Sequence, residues 1–166
     1  PKGYVCSLSD SHAKKLVSDL ISIPGNPRIF NVGRLDKDSE GLILFTNDGD
    51  FAERILHPRY EVLKTYEVFL NEPLQDSDIS KIKSGLKDGD EILKAYEIKP
   101  CQTKNKYLFI LKEGKKREIR RIVSLLEKKV LNLKRIAIGN LCLSNLQTGK
   151  WRFLSLAELR MLENNQ

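Results

Sequence analysis

The densest group of residues able to do chemistry is Gly33-Arg34-Leu35-Asp36-Lys37-Asp38-Ser39-Glu40-Gly41, where three carboxylates fall within five residues between two glycines. Asp36-x-Asp38-x-Glu40-Gly41 imitates the start of a calcium-binding EF-hand loop. The imitation fails downstream, because the ninth position is Leu44 and the twelfth is Asn47, where the ion needs a bidentate Glu. Two readings stay open on pattern alone. One is an ordinary acidic surface turn. The other is a catalytic loop, in which a carboxylate beside an arginine is held ionised and aimed as nucleophile or base. Glycoside hydrolysis would need two carboxylates facing one bond across several ångströms, which neighbours on one loop rarely supply.

The second concentration is cationic. Between Lys112 and Arg135 stand ten basic residues against three acidic ones, Glu113, Glu118 and Glu127. That stretch holds the whole net charge of +7, since the remaining residues balance at 19 basic and 19 acidic. A localised excess is the footprint expected of a protein that meets a phosphate backbone; it also suits an acidic protein or a membrane surface. Cys6, Cys101 and Cys142 are odd in number and far apart, with no Cys-x-x-Cys, so a disulfide framework or zinc site is not expected. Three reduced thiols point to a cytoplasmic location. His12 and His57 have no ligand-spaced partners and read as structural or surface residues.

The elements that must hold these groups can be read coarsely. At 166 residues, with 40% apolar and 31% charged residues, the chain has the size and material of one globular domain with a core. No apolar run approaches the roughly 20 residues of a membrane span, and Pro1 to Asp10 lack a secretory-signal pattern. Pro1-Lys2-Gly3 runs straight into apolar Tyr4-Val5-Cys6, an opening expected of a fragment or of a chain with a module upstream. Residues 4–8 read as a strand. Ser11 is a candidate cap for a helix bearing Leu16, Val17, Leu20 and Ile21, stopped by Pro24-Gly25. Ile29–Val32 is short and apolar, and a strand is expected over Leu42–Thr46.

Asn47-Asp48-Gly49 signals a turn, with Asp50 capping a short helix that carries Phe51 and Ile55. Residues 62–70 alternate, so Val62, Lys64, Tyr66, Val68 and Leu70 share one face. A helix with Ile79, Ile82 and Leu86 follows, then a turn at Lys87–Asp90 and strands at 92–98 and 107–111. Ile119, Ile122, Val123, Leu126 and Val130 follow helical spacing beside a stripe of Arg117, Arg120 or Arg121, Ser124 and Lys128. Strands are expected at 131–138 and 141–143, and Ser155-Leu156-Ala157-Glu158 is a capping box for a last helix. Interleaved strands and helices with tight turns favour an α+β fold, a mixed, largely antiparallel sheet with flanking helices, over a doubly wound parallel one.

Four motifs in order carry a family resemblance. Gly33-Arg34-Leu35-Asp36-Lys37-Asp38-Ser39-Glu40-Gly41-Leu42 with Thr46-Asn47-Asp48-Gly49 resembles the active-site signature of the pseudouridine synthases that modify ribosomal RNA, of the RsuA type. Pro1-Lys2-Gly3 resembles the end of that family's opening motif, and Lys64-Thr65-Tyr66 its Lys-x-Tyr strand. Glu113-Gly114-Lys115-Lys116-Arg117-Glu118-Ile119-Arg120-Arg121 resembles its basic helix motif, and Leu133-Lys134-Arg135 through Gly139 also fits. The resemblance spans nearly the whole chain. It implies two subdomains with a central basic cleft, and isomerisation of a uridine in ribosomal RNA to pseudouridine without cofactor or metal.

Asp36 then matches the essential aspartate, Tyr66 the tyrosine that packs on the uracil and can help take the C5 proton, and Arg120 the arginine that pairs with the aspartate. Arg34, Lys64, Lys115, Lys116, Arg117 and Arg121 are the expected RNA contacts. Arg120 and Arg121 are adjacent, so a helix sends them about 100° apart and only one can face Asp36. Each residue also has a plain reading. Tyr66 is then a half-buried strand residue, Lys64 a solvated lysine, Arg34 an ion-pair partner of Asp38 or Glu40, and the basic helix a solvated face. The partner expected is ribosomal RNA with a flipped uridine, the protein a monomer away from membranes. Residues 1–166 are expected to form one catalytic domain, without the S4-type RNA-binding domain that many members carry upstream. The competing readings are a catalytically silent RNA-binding or ribosome-assembly module and, more distantly, a carbohydrate-active enzyme.

Overall fold

The structure, a computed structural model, describes residues 1–7 and 15–163. Ten strands and four α-helices follow one another among the described residues: β1 (Phe30–Val32), β2 (Glu40–Gly41), β3 (Leu44–Thr46), α1 (Gly49–Leu56), β4 (Lys64–Leu70), α2 (Asp76–Ser84), β5 (Leu86–Asp88), β6 (Glu91–Leu93), β7 (Glu97–Pro100), β8 (Lys106–Leu111), α3 (Glu118–Ser124), β9 (Val130–Ile138), β10 (Leu141–Cys142) and α4 (Leu156–Glu163). They form two compact units, Pro1–Val62 with Ile136–Gln166, and Leu63–Arg135. No helix among the described residues is long and apolar enough to cross a membrane.

In the first unit β1 pairs antiparallel with β3, Asn31 opposite Phe45, so that the loop carrying Asp36 begins and ends near one small ladder. Val32, Leu44, Phe51, Ile55, Ile138 and Leu162 belong to its apolar core. The last residues of β9 turn back on β10, Ile138 opposite Leu141. The Asp50 cap expected from sequence is corrected: Asp48 has the extended backbone of a cap, and its Oδ1 accepts from Phe51 N at 2.9 Å. The expected strand at 4–8 is only an isolated bridge between Val5 and Leu16 among the described residues. Ser11 and His12 lie outside the described residues. Val17–Leu20 is one 3₁₀ turn, closed by the Asp19 carboxylate accepting from Leu16 N at 2.8 Å. The capping box at Ser155 is present: Ser155 Oγ accepts from Glu158 N at 3.2 Å, and Glu158 accepts from Ser155 N at 2.9 Å.

The second unit is built on β4. Its alternation is realised: Tyr66, Val68 and Leu70 are buried, while Phe69 on the other face is exposed. β8 lies antiparallel on one side, Tyr66 opposite Phe109, and β7 lies antiparallel beyond it, Ile98 opposite Phe109. β9 flanks β4 on the other side. Phe109, Ile82, Leu93, Ile122 and Val123 are completely buried. Three expectations change here. Leu86 leaves the helix, which ends at Gly85 with φ +108, and enters the β5–β6 hairpin instead. The strand expected at 92–98 is two strands, β6 and β7. The basic helix stops at Ser124, and Val130 opens β9, because Glu127 turns left-handed at φ +59. The pairs β1–β3, β9–β10, β4–β8, β5–β6 and β7–β8 are all antiparallel, in keeping with the expected fold class.

Candidate functional site

Asp36 sits half-buried in the loop between β1 and β2, and the backbone around it is tied down on both sides. Leu35 N donates to Cys6 Sγ at 3.3 Å, and Gly3 N donates to Lys37 O at 2.7 Å. Ser39, itself buried, donates its backbone N–H to Asp36 O at 2.8 Å. At the loop entrance Asn31 Nδ2 donates to Gly33 O at 2.7 Å. Gly33 has φ +77, and a Cβ there would stand 3.0 Å from Leu56 Cδ2, so this corner needs glycine. A carboxylate on such a fixed turn is presented at a defined place, as a nucleophile or base must be. Arg34 and Asp38 are exposed, and Glu40 is half-buried. The opening segment's hold on this loop, through Gly3 and Cys6, was not foreseen; Cys6 gave no signal beyond its apolar neighbours.

In the second unit, Lys64 and Tyr66 point from the same face of β4, as alternation required. Tyr66 is nearly enclosed at 9% exposure, set opposite Phe109. Burial pulls the Lys64 ammonium below its ordinary range, and the guanidinium of Arg135 adds to the effect. Arg135 is itself buried.

The basic motif is a tight bend leading into a short helix. Glu118 is buried at the first turn of α3, and its Oε2 accepts from Lys115 N at 3.0 Å. Arg117 adopts a left-handed conformation, φ +51, just before the helix. Lys115 Nζ donates to Ile92 O at 2.7 Å and pairs with Glu113 at 3.2 Å. Lys116 and Arg117 are exposed, where a phosphate backbone could reach them. The two adjacent arginines diverge as helix geometry demands. Arg120 is half-buried, its NH1 directed to Val130 O at 3.4 Å. Arg121 turns to the β5–β6 hairpin, Nε to Asp88 Oδ2 at 2.5 Å and NH2 to Glu91 Oε2 at 2.5 Å. The guanidinium of Arg121, one of the expected RNA contacts, is engaged by two carboxylates. The acidic turn Lys87-Asp88-Gly89-Asp90-Glu91 was the available signal for that pairing.

Among the described residues no group of three or more His, Cys, Asp and Glu side chains is arranged to hold a metal ion. His57 Nδ1 accepts from Arg59 N at 3.2 Å, a local structural bond. Trp151 packs edge-on to Phe153, ring centroids 5.3 Å apart.

Comparison with known proteins matches residues 1–125 to a family model described as RNA pseudouridylate synthase. A Borreliella burgdorferi protein named as an uncharacterized RNA pseudouridine synthase is 38% identical over 99% of this chain and 66% of its own length. The ribosomal large subunit pseudouridine synthase B of Bacillus subtilis is 33% identical over 98% of this chain and 68% of its own. A crystal structure described as pseudouridylate synthase superposes with a TM-score of 0.87 at 29% identity, over 98% of this chain and 70% of that one. The chain thus spans 66% of the length of the Borreliella relative and 66% of a 37% identical Aquifex aeolicus relative.

Proposed function

This chain belongs to the RNA pseudouridylate synthase family, and on that premise we propose that it isomerises a uridine of ribosomal RNA to pseudouridine. The N1–C1′ bond of the nucleoside breaks, the uracil turns in place, and a C5–C1′ bond forms. The C5 proton is released to solvent and N1 ends protonated, so no oxidant or co-reactant is consumed. Ribosomal RNA is favoured as substrate because relatives that match 98–99% of this chain bear the name ribosomal large subunit pseudouridine synthase B. In this reading the protein works in the cytoplasm, and as a monomer.

In this reading Asp36 is the ionised carboxylate that attacks or steers the detached sugar or base. Tyr66 packs on the uracil, and Arg120 is the catalytic cation. Arg34, Lys64, Lys115, Lys116 and Arg117 hold the RNA backbone. The uridine must leave its stack to reach the carboxylate. That costs a few kcal/mol and less in a loop, so single-stranded or distorted RNA is the preferred form. The observation that carries the reading is the double anchoring of the loop around Asp36, through Leu35 N and Lys37 O, within the motif that the family resemblance identifies.

The test is tritium release from ribosomal RNA labelled as 5-³H-uridine. Asp36→Asn should fold, bind RNA within a few-fold of wild type and release no tritium. Wild-type turnover in Asp36→Asn would remove the mechanism. RNA binding by the unaltered chain with no release from any ribosomal RNA would instead favour a silent RNA-binding module.

A further inference from the structure

We propose that Arg121 is a positioning residue, fastening helix α3 to the acidic β5–β6 hairpin and thereby fixing where Arg120 is delivered. The proposal rests on the reading of Arg120 as part of the catalytic set.

Helix α3 has seven residues, and no side chain caps its N-terminus. A helix this short has too few internal hydrogen bonds to set its own orientation. Its apolar side supplies part of the hold, since Ile119, Ile122 and Val123 are buried. Apolar packing is non-directional, however, and leaves rotation about the helix axis weakly defined. Beside the Arg120 bond to Val130 O, at 3.4 Å, the helix and the bend before it are linked directionally to the hairpin. Arg121 gives Nε to Asp88 and NH2 to Glu91, both at 2.5 Å, and NH1 to Lys116 O at 3.3 Å. Lys115 Nζ adds a bond to Ile92 O at 2.7 Å. The hairpin is anchored to the core by Leu93 of β6, which is completely buried.

These links also argue against an RNA contact by Arg121. Nε, NH1 and NH2 each already serve an acceptor, and a guanidinium has only five N–H donors in a fixed fork. A phosphate approaching it would meet the Asp88 and Glu91 carboxylates, whose charge repels it. The value of the pairing lies one residue back. Arg120 is fixed to the same short helix, so a small roll of α3 displaces its guanidinium. A misplacement of about 1 Å near a reacting centre can lower turnover by roughly a hundredfold.

The experiment compares Asp88→Asn/Glu91→Gln, Arg121→Gln and the triple variant with the unaltered chain. It measures kcat and KM for tritium release from 5-³H-uridine ribosomal RNA, with RNA affinity at several salt concentrations. The hairpin variant should lose tenfold or more in kcat, keep KM within twofold and keep its salt dependence. The triple variant should be no worse than Arg121→Gln, because both remove one fastening. Unchanged kcat in the hairpin variant overturns the proposal. So does tighter RNA binding with kcat intact, which is how an arginine released from competing carboxylates would behave. Should the double hairpin variant not melt cooperatively, Glu91→Gln alone is read on the same scale, its half-exposed side chain making it the milder change. Asp36→Asn run alongside separates the two ideas. Activity surviving there removes the catalytic reading, whereas a dead Asp36→Asn beside a fully active hairpin variant removes only the role of Arg121.

Discussion

Glu118 bears its carboxyl group in a buried place at the first turn of α3. Burial pushes its pKa up from 4.5, and the N–H of Lys115 only partly offsets this by favouring the charged form. Between 4.5 and the raised folded value, the folded chain holds more protons than the unfolded one, so stability falls as pH rises through that window. Above the window the whole penalty is present. Glu118→Gln keeps the size of the side chain and an oxygen for Lys115 N, and removes the charge. It should flatten the pH dependence just above 4.5 and leave the pH 7 melting temperature equal or higher. A change of about 1 kcal/mol corresponds to roughly 2–4 °C in a chain of this size. A lower pH 7 melting temperature with the pH slope retained would contradict the argument.

Elements show which local rules the sequence carries openly. β4 was legible because a period of two puts Tyr66, Val68 and Leu70 on one buried face whatever the neighbours are. The break between β6 and β7 was not, because it is marked only by a slip of phase, from buried Leu93 and Ala95 to buried Ile98, with no Gly or Pro between them. The end of α3 was hidden in the same way: Leu126 and Val130 continue the helical spacing, while a left-handed Glu127, neither Gly nor Pro, turns the chain. Helix α1 gives a direct test, since two acids on either side of Gly49 are candidates for its cap. Asp48→Ala removes the acceptor of Phe51 N and should cost about 1 kcal/mol, lowering the melting temperature by roughly 2–4 °C. Asp50→Ala should change it far less. Equal effects in thermal melts would mean that the cap is shared.

Across the whole molecule, the net charge of +7 resides in one stretch of sequence, and that has a consequence in solution. Each Lys or Arg that neutralises a phosphate releases a counterion, so RNA affinity should fall steeply with salt. Removing exposed Lys116 and Arg117 together should lower the logarithmic salt slope by roughly one unit for each lost contact, whereas Arg121→Gln should leave it unchanged. An unaltered slope in Lys116→Ala/Arg117→Ala would take both residues out of the RNA interface.

The sequence by itself determined the localised charge, the order of the motifs, the glycine-bounded loop around Asp36, and the shared face of Lys64 and Tyr66. These follow from residue type and from periods of two or a few residues. Tertiary structure alone decided that Arg121 is held by two carboxylates, and what pins the loop beside Asp36. The partners of Arg121 lie 33 and 30 residues away, and Cys6 lies 29 residues from Leu35. Pairings at such separations arise when groups from distant segments compete for the same donors, and no local pattern records the winner.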